Sequence, residues 1–388
     1  MAPVSAWQII ELAVLIVPGF LILWRVMLCR GRPQGPGLPA LPPYSVIIPA
    51  RNEESRLPPL LASLRAQTVP PAEIIVVDDG STDGTAALAL GAGCRVVAAG
   101  GKPQQWLGKT WACWVGAERA ATKRLLFLDA DTRLEAAGCE RLLTEREERG
   151  GVLTVQPWHA VGSWVESLSA FFNVVVMAAI NSFTVFGKRL APAGCFGPCI
   201  LCTREDYVRV DGHRSVKESI LEDVDLGRRF LAAGVPVRCR GGKGTISYRM
   251  YPGGIRDLVD GWSKNMASGA QGARPIVLCL VALWISGCAS ASFFGARWLV
   301  SGNTAAALTA MAFYVLYAGQ AFWMFRRIGS FGLHSAFLFP IHLVFFAAVF
   351  VRSLVLTFLL RRVSWKGRRI DNPVRARKTP YTRNVNPR

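Results

Sequence analysis

The chain has 388 residues, 51% of them hydrophobic, a mean hydropathy of +0.29 and a formal net charge of +19. It is too long for one small module and too apolar for an ordinary soluble enzyme. The charge is a poor mark of nucleic-acid binding: no zinc-finger, RRM or helix-turn-helix pattern accompanies it, and much of it flanks apolar segments, where it suits anionic headgroups.

Residues 7–27 form the first apolar run, about 20 residues long, enough to cross a hydrocarbon core of about 30 Å. No Lys or Arg precedes it, and Arg25, Arg30 and Arg32 follow, so it reads as an uncleaved anchor with its basic end in the cytoplasm. A Gly/Pro-rich linker over 30–43 leads into the next domain. There short β-rich runs alternate with helical patterns. Strands are expected over 44–49, 73–78, 95–98, 124–129 and 152–156, and helices over 57–66, 82–91, 109–121 and 138–148. Continuous apolar strands alternating with helices imply an α/β domain with a mostly parallel sheet covered on both faces. Ligands of such sheets bind at the carboxyl ends of the strands.

Beyond Pro157 an apolar stretch over 164–186 either spans or lies at the membrane surface. Strands follow over 196–203, 235–240 and 245–251, with a helix over 221–233 and an amphipathic one over 255–271. Cys195, Cys199, Cys202 and Cys239 read as small buried side chains: Ile200 and Leu201 fill the gap as a strand would, where zinc needs ligands on turns. Three more apolar stretches occupy 275–300, 305–325 and 335–360. Pro340 and Arg352 lie inside the last, and basic clusters flank it on both sides, so it is expected to be re-entrant or interfacial and to leave the tail cytoplasmic. The expected organisation is an anchor and linker (1–43), a catalytic domain (44–274), membrane segments (275–360) and a basic tail (361–388). The whole is expected to be a multi-pass protein of the cell membrane with the domain over 44–274 in the cytoplasm.

The chemistry gathers at strand ends. Asp129 and Asp131 stand one residue apart after a buried strand, where two carboxylates can face one divalent cation. Hard oxygen ligands suit Mg2+ or Mn2+, which also bind a diphosphate. Asp79, in a run of Asp and Gly ending another strand, can accept hydrogen bonds from a nucleobase or ribose, and the same run can serve as a turn and helix cap. Pro49, Arg51 and Glu53 end the first strand at the same edge and read as nucleoside contacts. Lys109 reads equally as a phosphate ligand or a helix-start lysine. Glu222 and Asp223 open a helix, where they complement its dipole. Asp223 is also the candidate general base. Arg249, Lys264 and the segment Trp365–Lys366–Gly367–Arg368 are candidates for gripping a diphosphate; His213 is a candidate for orienting a carboxylate or metal, though a loop histidine is more often solvated or hydrogen-bonded.

Taken together, SVIIPARNEE, EIIVVDDGSTDGT, FLDADT and ILEDVDLGRR resemble family 2 glycosyltransferases of the GT-A fold over residues 44–271. The resemblance implies a Rossmann-like domain and inverting transfer from a nucleotide-sugar. It implies nucleoside contact at Asp79, a divalent metal at Asp129 and Asp131, and a base at Asp223. The segments around Trp106–Lys109, 261–270 and Trp365–Arg368 look like the 4,4'-diaponeurosporenoate glycosyltransferases of carotenoid biosynthesis. That likeness implies UDP-glucose (a UDP-hexose) as donor and a hydrophobic lipid or carotenoid acceptor, such as the carboxylate of a C30 carotenoid acid. The alternative is another lipid or a cell-envelope polysaccharide. Processive members carry Q-x-x-R-W in this region; here it reads Trp262-Ser263-Lys264-Asn265, which argues against polymer synthesis. A carboxylate acceptor is already ionised, and for it Asp223 would orient rather than deprotonate.

Overall fold

The computed structural model describes residues 5–30, 40–300, 302–359, 362–365 and 368–371. Two helices, α1 (Ala6–Leu15) and α2 (Val17–Ile22), precede the α/β domain. Its strands are β1 (Tyr44–Ala50), β2 (Glu73–Asp78), β3 (Arg95–Ala98), β4 (Arg124–Leu128), β5 (Thr132–Leu134), β6 (Val152–Gln156), β7 (Trp158–His159), β8 (Cys199–Thr203), β9 (Val237–Gly241) and β10 (Ile246–Tyr248). Between and after them run α3 (Leu57–Arg65), α4 (Thr85–Gly91), α5 (Gly108–Arg119), α6 (Gly138–Arg149), α7 (Trp164–Ser167), α8 (Ala170–Ala179), α9 (Arg204–Arg209), α10 (Glu222–Ala232) and α11 (Ile255–Gly272). The apolar block folds as α12 (Pro275–Leu299), α13 (Thr304–Ile328), α14 (Leu333–Phe337) and α15 (Phe339–Leu354).

The main sheet has the order β3-β2-β1-β4-β8-β6-β9. All its neighbours pair in parallel except β8, which is antiparallel to both β4 and β6. Side chains alternate between faces along each strand. Ile47, Ile75, Leu125 and Phe127 enter one core, and Val46, Ile48, Val76 and Leu126 the other. Both faces are therefore apolar, which is why these strands read as continuous hydrophobic runs. The second core is closed by α3, whose Leu57, Leu60, Leu61 and Leu64 recur at helical spacing and are all buried. The first core continues without a break into α8, α12, α13 and α15. A small second sheet, β5-β10-β7, sits beyond the carboxyl end of β4.

Three helices are long and apolar enough to cross a membrane: Pro275–Leu299, Thr304–Ile328 and Phe339–Leu359. The run over 164–186 forms no such helix; α7 and α8 are short, and α8 is buried against the longer helices. The expected continuous anchor over 7–27 is also broken. Ala6–Ile22 is a shorter apolar segment, interrupted before Pro18, whose missing N–H cannot close a helical bond. Polar groups of α13 take up its carbonyls instead: Tyr317 Oη donates to Leu12 O at 3.0 Å and Gln320 Nε2 to Ile16 O at 2.6 Å. The chain then runs to the edge of the main sheet, where Leu28 bridges Gly241.

The path after α13 is a hairpin. Gly329 bridges His159 beside the α/β domain. The chain then travels back along α13 until the Phe337 carbonyl accepts a hydrogen bond from Tyr314 and Phe339 packs on that ring at 5.2 Å. Tyr314 lies roughly 20 Å along the helix from Ile328 at ~1.5 Å per residue. From there α15 returns to α11, where Arg352 pairs with Asp260 at 2.8 Å and Ser353 Oγ donates to Ser263 O at 2.7 Å. Pro340 does not break α15, because it occupies the first turn, where no N–H is needed. Arg352 is not a bare charge, because α11 supplies its partners.

Candidate active site

The first two loops at the carboxyl edge are laced together. Asn52 takes a left-handed backbone (φ 51°) and its Oδ1 accepts from Thr82 N at 2.8 Å. Glu53 N donates to Thr85 Oγ1 at 2.8 Å, and Asp79 N to Ala50 O at 2.9 Å. This holds Arg51 Nη1 3.6 Å from Asp79 Oδ2. Gly108, at the start of α5, lets backbone pass against Asp79; a Cβ there would collide with its Oδ2. One residue on, Lys109 Nζ lies 2.9 Å from Asp129 Oδ1 and 3.3 Å from Glu222 Oε1. Burial works against the Lys109 charge, but Asp129, Glu222 and Asp223 outweigh it and hold the ammonium well above the usual lysine range.

Asp129 follows β4 directly and its N–H donates to Pro198 O at 3.1 Å, fixing it against the turn before β8. Asp131, two residues on, is pushed up to about 7 by burial and then by the charges of Asp129 and Glu53, against Arg56 and Lys109. Asp223 is also raised to about 7, first by burial and then by Glu222, with Lys109 opposing. Gly197 makes room for it: a Cβ there would meet Asp223 Oδ2. Carboxylates from β4, the β1 loop and α10 thus crowd one region.

All these groups line a single cavity of about 810 Å³, which collects Pro49, Arg51, Glu53, Asp79, Lys109, Asp129, Asp131, Glu222 and Asp223. The cavity does not stop at the sheet edge. It continues between apolar helices, walled by Val175 and Val176 of α8, Trp262 and Met266 of α11, Val281 and Ile285 of α12 and Phe346 and Phe350 of α15. Trp262 stacks on Phe172 at 4.8 Å and donates through Nε1 to Ser169 Oγ at 3.0 Å. Sequence reasoning did not find the part of this apolar half built by α11, α12 and α15, nor Arg56, Gln156, Tyr248 and Tyr251, which also line the cavity.

One sequence expectation fails here. Arg249 does not grip a diphosphate; Nη2 lies 2.7 Å from Glu166 Oε1, because a carboxylate only 1% exposed needs a cation. Of the two readings of His213 the structure shows the hydrogen-bonded one: it is buried, hydrogen-bonded through Nδ1 to Tyr207 Oη at 2.9 Å, and held down to about 3 by burial and by Lys109. The Lys264 side chain and the pair Lys366–Gly367 lie outside the described residues.

A divalent cation fits the chemistry of Asp129 and Asp131: hard oxygens at one strand end, with carboxylate repulsion that an added positive charge relieves. Among the described residues no group of three or more His, Cys, Asp or Glu could hold a metal by itself.

Comparison with known proteins gives three likenesses. The profile of Glycosyl transferase family 2 matches residues 45–205. The chain is 34% identical over 328 residues to the 4,4'-diaponeurosporenoate glycosyltransferase of Staphylococcus aureus (strain USA300), covering 84% of this chain and 87% of that protein. The same enzyme from strain MRSA252 is 35% identical over 331 residues, with the same coverage. Among solved structures, the mannosyltransferase PcManGT from Pyrobaculum calidifontis, in complex with GDP-Man and Mn2+, superposes with a TM-score of 0.53 at 16% identity, covering 92% of this chain and 99% of that one.

Proposed function

The chain belongs to glycosyltransferase family 2, with the GT-A fold, and we propose that it transfers a hexose, with inversion, from a UDP-hexose to the carboxylate of a hydrophobic, carotenoid-like acid. The observation that carries this reading is the single cavity joining the carboxylate cluster to a passage between apolar helices. A water-soluble acceptor would have no use for walls of Val, Ile and Phe. The relatives' printed name, a carotenoid acid glycosyltransferase, supports the acceptor class, and glucose as the hexose is carried by that likeness.

In this reading Asp79 and Arg51 hold the nucleoside, with Pro49 and Glu53 shaping the same wall. Asp129 and Asp131 would hold Mg2+ or Mn2+, which would supply charge to stabilise the departing nucleoside diphosphate. Lys109 adds a second positive charge beside the same carboxylates. The acceptor oxygen attacks C1 from the face opposite the diphosphate; the C1–O bond to UDP breaks and its electron pair leaves with UDP. An acceptor carboxylate has no proton to give, so for it Asp223 would orient rather than deprotonate, with Glu222 held by Lys109 beside it. For a hydroxyl acceptor Asp223 takes the proton.

The enzyme is read as a multi-pass protein of the cell membrane with its catalytic domain in the cytoplasm. Arg326 and Arg327 end α13 beside that domain, which supports this by the positive-inside rule. The hairpin from Gly329 to α15 supports a re-entrant segment that starts and ends on one side.

The test is to incubate the purified enzyme with labelled UDP-glucose and either a C30 carotenoid acid or a hydroxyl-ended lipid of similar length, and to identify the product by mass. A labelled ester of the acid is expected. Label found only in water-soluble product, or in neither lipid, would overturn the reading.

A further inference from the structure

Beyond the carboxylates, the cavity wall carries one polar side chain whose orientation is fixed from behind. Gln156 is the last residue of β6, is 8% exposed and lines the cavity. Its Nε2 lies 2.8 Å from Tyr248 Oη. Tyr248 Oη in turn lies 2.8 Å from Asn173 Oδ1, and Asn173 Nδ2 lies 3.0 Å from both Ser169 O and His159 Nδ1.

The donors in this chain can point only one way. Ser169 O accepts, so the atom facing it is the Asn173 amide nitrogen, which leaves Oδ1 to accept from Tyr248. The phenol has one proton and spends it on Asn173, so toward Gln156 it can only accept. His159 is fully buried and held down to about 4 by burial, against Glu166 and Asn173; it stays neutral, and Nδ1 can accept from Asn173. Turning the Gln156 amide over would set its oxygen against an oxygen with no proton to offer. Oε1 and the second N–H of Gln156 are therefore turned away from Tyr248, and among the described residues Oε1 has no hydrogen-bond partner.

The sheet order says what lies in front of that amide. β6 is separated from β4 by β8 alone, which places its end roughly 10 Å from Asp129 at ~4.8 Å per strand. Asp79 lies on the opposite side of β4, after β2. A donor with its nucleoside at Asp79 and its diphosphate at Asp129 and Asp131 sends its sugar toward β6. Tyr248 pairs with Thr132, the residue after Asp131, and both Tyr248 and Asp131 line the cavity, which sets this wall beside the diphosphate end.

We propose that Gln156 reads hydroxyl groups of the transferred hexose, and that Tyr248, Asn173 and His159 are positioning residues that fix which way its amide faces. The inference rests on the reading of the donor as a UDP-hexose. An acceptor and an N–H that no described residue occupies suit a pair of neighbouring hydroxyls, one donating and one accepting. A site built to pair with hydroxyls discriminates sharply among sugars that misplace them.

The experiment uses full-length enzyme in detergent micelles and compares wild type, Gln156→Ala and Tyr248→Phe. It measures kcat/KM for the UDP-hexose, KM for the acceptor and the inhibition constant of UDP. Gln156→Ala is expected to lower donor kcat/KM at least tenfold, with UDP inhibition and acceptor KM within twofold of wild type. Tyr248→Phe keeps the glutamine but frees its amide, and should give a several-fold loss of the same kind. Donor kcat/KM within twofold of wild type in both variants would overturn the proposal, as would a loss expressed in UDP inhibition or acceptor KM. A wild-type enzyme that turns over no UDP-hexose fails at the earlier step, and is seen before any variant is compared.

Discussion

Lys109 Nζ stands 2.9 Å from Asp129 Oδ1, and through that contact a helix start and a strand end are tied together at the centre of the cavity. Its second contact, to Glu222 Oε1 at 3.3 Å, brings in α10 and with it Asp223. Lys109→Met keeps the length of the side chain and removes the charge. The carboxylates around it then repel one another uncompensated, so kcat/KM for the donor should fall by about tenfold or more. Steady-state kinetics at saturating acceptor reads this; an unchanged value would make Lys109 a bystander.

Metal dependence follows from Asp129 and Asp131. Chelation should abolish transfer, and added Mn2+ or Mg2+ should restore it. Asp131→Ala should cost at least about a hundredfold in kcat, the scale of losing a metal's charge stabilisation. Full activity in excess chelator would contradict the assignment of this pair.

The apolar half of the cavity makes a separate prediction. Ala282 of α12 and Ala347 of α15 line it. Ala282→Trp or Ala347→Trp should obstruct the long acceptor and raise its KM by about tenfold or more. Slow hydrolysis of the UDP-hexose, which needs no lipid, should be unchanged. Equal loss of both activities would mean that the passage between the helices is not the acceptor path.

Two buried histidines set an acid limit. His159 and His213 are held down to about 4 and about 3, chiefly by burial. In the unfolded chain both titrate near ~6.5. As the pH falls below that value the unfolded state takes up protons that the native state refuses, so stability drops, for His159 until about pH 4. At neutral pH and above neither group contributes. The loss from His159 is roughly 2 kcal/mol by pH 5. In thermal melts, His159→Asn should shrink the fall in Tm between pH 7 and pH 5; an undiminished fall would place the acid sensitivity elsewhere.

What could be read from the sequence follows from which interactions are local. β1, β2 and β4 are apolar runs closed by charged or turn residues, and the structure begins each where it was expected, with β1 one residue longer. Of the acidic candidates, Glu53, Asp79, Asp129 and Asp131 stand after those strands and line one cavity with Glu222 and Asp223 of α10. The apolar passage was illegible because α12 and α15 are apolar nearly all round, which hides the stripe facing a cavity. Arg249 was misread because Glu166, its partner, is 83 positions away. Gln156 and Tyr248 gave no signal, since a single Gln and a single Tyr on different strands mean nothing until the sheets bring them to 2.8 Å. Pro18 and Pro340 both stand in the first turn of a helix, α2 and α15, and each marks where the preceding helix has stopped.

The most direct measurement of the central claim is a cryo-EM structure of the full chain with Mn2+, UDP and a long-chain carotenoid-like acid. The account predicts UDP beside Asp79, with its diphosphate and the metal against Asp129 and Asp131. It predicts the acid lying between α8, α12 and α15 with its carboxylate near Asp223. Density for the acid on the outer, lipid-facing side of α12 and α13, or for UDP away from Asp129 and Asp131, would contradict it.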